Sequence, residues 1–170
     1  MIDVEHEPRQ LLVGAALMLV TAVIQTFGVV FLQESIERIR DPDAEHMTRP
    51  RMLSVLSGVM VYLFGLHLLE MLVWAAFYSR VAHYKNFSVA LYESALAFTT
   101  MDIAKLPPSW KFLSAAEGVT GLLMFAWSTG VMFNQTSWVT EARRKYLHKH
   151  HPFGARDRGN PPVTDKSAVP

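Results

Sequence analysis

Residues 87–111 read FSVALYESALAFTTMDIAKLPPSWK, and the length of the apolar run inside them decides the fold. That run, Phe87 to Thr100, is 14 residues long and contains Glu93. A helix needs about 20 apolar residues to cross a bilayer, and a run of about 10–14 suits a re-entrant or interfacial helix. Pro107 and Pro108 end any helix before the next apolar run begins. The stretch therefore predicts a short helix over 87–100 and an irregular loop over 101–111.

Longer apolar runs flank it. Leu11 to Leu32 is 22 residues without a charge, with Gln25 its strongest polar group. As a helix it would be about 33 Å long, enough for a hydrocarbon core of about 30 Å. Acidic residues precede it (Asp3, Glu5, Glu7), so it reads as a span and not as a secretory signal. Leu53 to Tyr78 is a second run, interrupted by His67 and Glu70, and Phe112 to Trp138 is a third, with Glu117 near its start. The expected fold class is an all-α membrane protein with spans at 11–32, 53–78 and 112–138. A re-entrant helix would sit between the last two.

Basic residues orient the chain. The first loop (Arg38, Arg40, Arg49, Arg51) and the tail carry eleven, against five on the other side. Cytoplasmic loops hold the excess of Lys and Arg. The N-terminal segment 1–10 and the 101–111 loop are thus expected outside a bacterial inner membrane, and the 139–170 tail in the cytoplasm. The 139–170 tail, which ends in Arg/Gly/Pro-rich sequence from Gly154 to Pro170, is expected to be disordered. Its basic run, followed by His148, His150 and His151, suits anionic lipid better than a metal.

Composition agrees with this reading. Of 170 residues, 51% are hydrophobic and only 18% charged, against about 25% charged in soluble domains. The absence of Cys excludes disulfides, thiolate metal sites and thiol catalysis. A net charge of +1 gives no reason to expect nucleic acid. No nucleotide-binding, zinc-protease or nucleophile motif is present, so neither an enzyme nor a cofactor is expected.

Irregular backbone at membrane depth must be buried in protein or line water. Three spans enclose such a loop poorly, whereas several copies around an axis enclose it well, as in pore-loop channels. The residues carry a matching resemblance. Phe98-Thr99-Thr100, Pro107-Pro108-Ser109-Trp110, Gly118, Gly121 and Trp127-Ser128-Thr129 fall in order over Ala90 to Asn134, and His67-Leu68-Leu69-Glu70 with Trp74 lies upstream. Over about residues 53–138 the chain resembles the pore domain of the tetrameric potassium-channel superfamily, most closely its small bacterial members. The resemblance implies a homotetramer passing cations. The superfamily's Gly-Tyr-Gly filter is missing, and Thr100 is followed by Met101-Asp102-Ile103. Four stacked carbonyl rings need glycine backbone angles, so potassium selectivity is not expected. A shorter filter of Thr99, Thr100, Met101 and Asp102 would remain, its four Asp102 carboxylates favouring monovalent or divalent cations. Lys105 would pair with Asp102 or blunt its field. The same motifs also fit a channel-like subunit that has lost conduction, and Glu70, His67 and Glu117 fit a third reading, a proton or small-solute pathway across the membrane.

The remaining polar residues have two readings each. His67 and Glu70 share a helix face. They fit a proton relay or metal site, or, more simply, a packed cluster tying the second span to the short helix through Tyr92, Glu93 or Ser94. Glu117 would back the loop or line an outer vestibule. Gly121 would be a gating hinge, as the resemblance implies, or a packing site. Gly121, Phe125, Ser128 and Met132 are the expected pore and gate lining, with Met124 adding to an apolar constriction.

Overall fold

The computed structural model describes residues 7–39, 48–84 and 86–150. Asp3, Glu5, Arg40 and the 154–170 segment lie outside them. The described chain is helical: α1 is Glu7–Ile39, α2 Arg49–Val81, α3 Phe87–Phe98 and α4 Lys111–His150, with a 3₁₀ turn at Pro108–Trp110 before α4. Two helices, Pro8–Arg38 and Arg49–Val81, are long and apolar enough to cross a membrane. The third expected span, 112–138, is helical but is not among them. Thr120, Ser128, Thr129, Asn134, Gln135, Thr136 and Ser137 dilute its apolar character.

Local sequence sets the helix ends. Pro50 sits in the first turn of α2, where its missing N–H is not needed. His83 at φ 49° ends that helix. α4 continues past 138 to His150, into the segment expected to be disordered. Helix formers fill that extension, and Glu141 and Lys145 pair across one turn at 3.2 Å.

The contacts fix the direction of each helix. The Gln10 amide oxygen accepts from the Phe112 N–H at 3.1 Å. Gly14 faces Ala116, and Gln25 bonds Ser128. α1 and α4 therefore run parallel, in register over at least four turns. α2 runs against both, with Leu66 on Gly28 and the Tyr62 hydroxyl donating to the Gly28 carbonyl at 2.9 Å. α3 turns back along the second half of α2, placing Ala90 and Ala97 with Trp74 and Tyr78 and Phe98 beside Met71 and Met124.

Burial is inverted relative to a soluble bundle. α1 buries Gln10, Thr21 and Gln25, while Leu12, Leu19, Phe27 and Phe31 are each more than 60% exposed. α2 likewise buries His67 and Glu70 and exposes Met60, Val61 and Phe64. At the other end of the bundle from the loop, Val29, Leu32, Val59, Leu63, Leu66 and Val131 form a wholly aliphatic core.

Candidate functional site

α3 stops because its last carbonyls are capped. The Thr100 N–H bonds the Ala97 carbonyl and the Met101 N–H bonds that of Leu96, at 3.0 and 2.9 Å. This is the Schellman pattern, in which the residue after the C-cap is usually glycine. Here it is Thr100, at φ 59°. A β-branched residue in that region is an outlier. Thr100→Gly is expected to stabilise the protein by roughly 1 kcal/mol, read as a higher unfolding midpoint in detergent.

The cap presents Thr100 to Ile103 to the outside. Met101 is 80% and Ile103 62% exposed, and the Asp102 carboxylate accepts only the Ile103 N–H, at 2.7 Å. With Ser114, Gly118, Val119 and Leu122 of α4, this loop lines an open groove of about 620 Å³. The negative end of the α3 dipole points into it. α3 ends beside His67, whose ring lies 6.0 Å from that of Phe98. His67 is 14 residues before Val81, so the tip reaches about 21 Å down α2.

The return segment is tied down by buried side chains. The Ala104 N–H donates to Ser114 Oγ at 2.8 Å, and the Lys105 N–H donates to Glu93 Oε2 at 2.9 Å. Lys105 Nζ also turns to Glu93, at 3.9 Å. Glu93 thus takes the lysine that was expected at Asp102, because it already holds the same residue's backbone. The Tyr84 hydroxyl donates to the Lys105 carbonyl at 2.7 Å. Burial, and then the Glu93 carboxylate, hold the Tyr84 phenol above its usual pKa range. Trp110 covers the end of the loop nearest α4, edge-on to Phe77 at 5.5 Å and beneath the Arg9 guanidinium at 5.1 Å.

Behind the loop runs a column of buried polar groups. Ser94 Oγ lies 2.5 Å from Glu117 Oε1 and 3.0 Å from the Met71 carbonyl. The Tyr78 hydroxyl lies near the Glu117 carboxylate without closing a hydrogen bond of ordinary geometry. One level further in, Gln25 Nε2 donates to Ser128 Oγ at 2.9 Å. Ser128 Oγ lies 3.1 Å from His67 Nε2, and His67 Nδ1 lies 3.0 Å from Glu70 Oε2. This one chain joins α1, α4 and α2.

Several expected placements change. Thr99 spends its hydroxyl on the Ala95 carbonyl, at 2.6 Å, so Thr100, Met101 and Asp102 form the exposed tip without it. The His67–Glu70 pair reaches Ser128 and Gln25, because Ser94 and Glu93 are engaged elsewhere and Tyr92 is exposed. Gly121, Phe125, Ser128 and Met132 do share a face of α4, but it is the face turned into the protomer. Gly121 abuts the Phe98 carbonyl, Ser128 is buried, Phe125 packs on His67 at 4.6 Å, and Met132 lies on the aliphatic core. On that face Gly121 and Ser128 are buried, whereas Phe125 remains 36% exposed. The open face of α4 carries Val119, Leu122, Leu123 and Phe133. Gly121 is a close-packing site.

Sequence reasoning missed Gln25, Ser128 and Tyr78 as members of the polar column. Their signal was present: Gln25 is the one strongly polar residue in an uncharged run, and Tyr78 continues the 67, 70, 74 stripe. Carboxylate, imidazole and hydroxyl are ordered as in a nucleophilic triad. Ser128, however, sits in mid-helix, with the neighbouring N–H groups committed to α4. The only side-chain amide aimed at it, Gln25, binds the hydroxyl itself. The arrangement suits moving a proton better than attacking an acyl group. Among the described residues no group of three or more metal-ligating side chains occurs.

No family model matches the chain, and no curated protein or solved structure matches it significantly.

Proposed function

We propose that the chain is the protomer of a pore-loop ion channel, a homotetramer that passes cations with weak selectivity across a bacterial inner membrane. One observation carries the reading: α3 turns back halfway along α2 and delivers an exposed acid, Asp102, to that depth. The inverted burial of α1 and α2 supports a lipid surround. α4 fits as a third span because its polar residues Glu117, Thr120, Ser128 and Gln135 are buried against the protomer, leaving an apolar face for lipid or for a neighbouring copy. Four loops meeting at an axis would ring it with Asp102 carboxylates at the negative ends of four helices. Conduction is passive, the oxygen atoms of the ring replacing part of an ion's hydration.

A second reading, a channel-like subunit that does not conduct, draws on the loop's own hydrogen bonds. The N–H groups of Met101 and Asp102 both return to the Leu96 carbonyl, and those of Ala104 and Lys105 go to side chains. The loop is a tight cap whose N–H groups are spent within the protomer.

Flux of K⁺, Na⁺, Ca²⁺ and H⁺ into liposomes holding the purified protein separates the two. The channel reading expects flux of several cations, falling about tenfold in Asp102→Asn, the equivalent of about 1.4 kcal/mol. Strong preference for K⁺ would overturn the short-filter account. Silence to every ion from intact oligomers would favour the non-conducting subunit.

A further inference from the structure

Among the described residues, the buried side-chain atoms without a hydrogen-bond partner are Gln25 Oε1, Glu70 Oε1, Trp74 Nε1, Tyr78 Oη and Glu117 Oε2. All five belong to the column behind α3. Residues 67, 70, 74 and 78 form one stripe of α2, about 16 Å long from His67 to Tyr78. Buried polar groups left unpaired are costly. Two donors and three acceptors along one seam are what buried water requires, since a water molecule needs two to four polar partners.

The two ends of the column differ. Towards the loop, half-buried Tyr84 packs on the cluster that holds Trp74 and Tyr78 and shares the Lys105 backbone with Glu93. Titratable groups therefore continue to the surface on that side. Beyond Gln25 and Ser128, the buried side chains Val29, Leu32, Leu63, Leu66 and Val131 are aliphatic, and Tyr62 beside them spends its hydroxyl hydrogen on the Gly28 carbonyl. We infer that the column is a water-holding proton path, open towards the loop and blind at the aliphatic core, and that the His67–Glu70 pair binds protons from the loop side of the membrane alone. The inference rests on the membrane placement proposed above but not on conduction. It also replaces a through-going proton pathway with a dead-ended one.

The pair is suited to hold one extra proton. With His67 neutral, every hydrogen points one way: Gln25 to Ser128, Ser128 to His67 Nε2, and His67 Nδ1–H to Glu70. Once the pair takes up a proton, Nε2 carries a hydrogen and Ser128 Oγ must accept it, together with that of Gln25. The Ser128 hydroxyl hydrogen then turns to a carbonyl of α4. Uptake thus changes how α4 is held without breaking a covalent bond. The groups facing His67 are few. α1 contributes Gln25, which is neutral. α2 contributes Glu70. α3 contributes Phe98 and, further up, Glu93. α4 contributes Phe125, Ser128 and, about 16 Å away along its axis, Glu117.

The test is pH-difference infrared spectroscopy of the full chain in vesicles, with the pH of each side set separately. Protease access to Arg143-Arg144-Lys145 establishes that insertion is unidirectional, so failure of the membrane placement shows there first. Lowering the loop-side pH from about 8 to 5 should give carboxyl and imidazole bands that both Glu70→Gln and His67→Gln abolish. The same change on the opposite side should give none. Leu63→Asn, which puts a polar group into the aliphatic core, should make the response two-sided. The inference is overturned if the unmodified protein responds equally from both sides, or if no band depends on Glu70. Neither result requires ion flux.

Discussion

Gly121→Ala is expected to abolish the folded protomer. A Cβ on residue 121 would lie 1.9 Å from the Phe98 carbonyl oxygen and 2.9 Å from its carbon. Both are backbone atoms at the capped end of α3, so neither can rotate away. Relief requires separating α3 from α4, which strips Phe98 from its packing on Met71 and Met124 and threatens the Ser94–Glu117 bond. Overpacking a core typically costs about 1–3 kcal/mol where side chains can yield, and here none can. Gly28→Ala is the matched control. Its Cβ would meet only the Leu66 side chain, at 2.5 Å, and a leucine can change rotamer. Unfolding in detergent should show Gly121→Ala lost from the folded fraction and Gly28→Ala retained with a lower midpoint. Equal tolerance of both would mean that α3 does not end against α4 as described.

The second large effect concerns the buried chain of Gln25, Ser128, His67 and Glu70. His67→Ala should destabilise by about 3–5 kcal/mol, the range for removing one partner of a buried charged pair. It leaves Glu70 without the one hydrogen-bond partner it has among the described residues and turns the Ser128 hydroxyl back to a carbonyl of α4. Glu70→Gln should be far milder, because the amide keeps the shape and can still meet the imidazole. The double variant His67→Leu with Glu70→Leu should recover most of the loss, since apolar replacement of both partners removes the unpaired groups. The measurement is a double-mutant cycle on unfolding midpoints. A coupling energy near zero would show that the two residues do not act as a pair.

Much of this architecture is legible in the residues. Leu11 to Leu32 and Leu53 to Tyr78 lie within helices long enough to cross a bilayer, and the short run from Phe87 is a short helix. Its end at Phe98 follows from the cap and not from composition, since Thr100 has no propensity for its conformation. The extension of α4 to His150 was not legible, because the charged residues that suggest disorder are also good helix formers. The site was read unevenly. Asp102 is exposed at the tip, and residues 121, 125, 128 and 132 share one face of α4, which packs largely within the protomer. Period alone shows that 121, 125, 128 and 132 lie together and does not say which way they point. Direction came from partners about 100 positions away, such as Gln25 for Ser128. No local pattern contains such pairings.

That separation has a consequence for how the protein is made. The Gln25–Ser128 bond spans 103 positions and the Gln10–Phe112 bond 102. At about 5–20 residues per second, α1 leaves the ribosome roughly 5–20 s before its partner helix exists. Thr21 can wait, since its hydroxyl bonds the Leu17 and Met18 carbonyls of its own turn. Among the described residues the Gln25 side chain is bonded only to Ser128, and on the membrane placement proposed above it must spend that interval in lipid or against the insertion machinery. Biogenesis, more than final stability, is then where the polar residue of α1 is most exposed to failure. A chain stalled before α4 should be a ready substrate for membrane quality control.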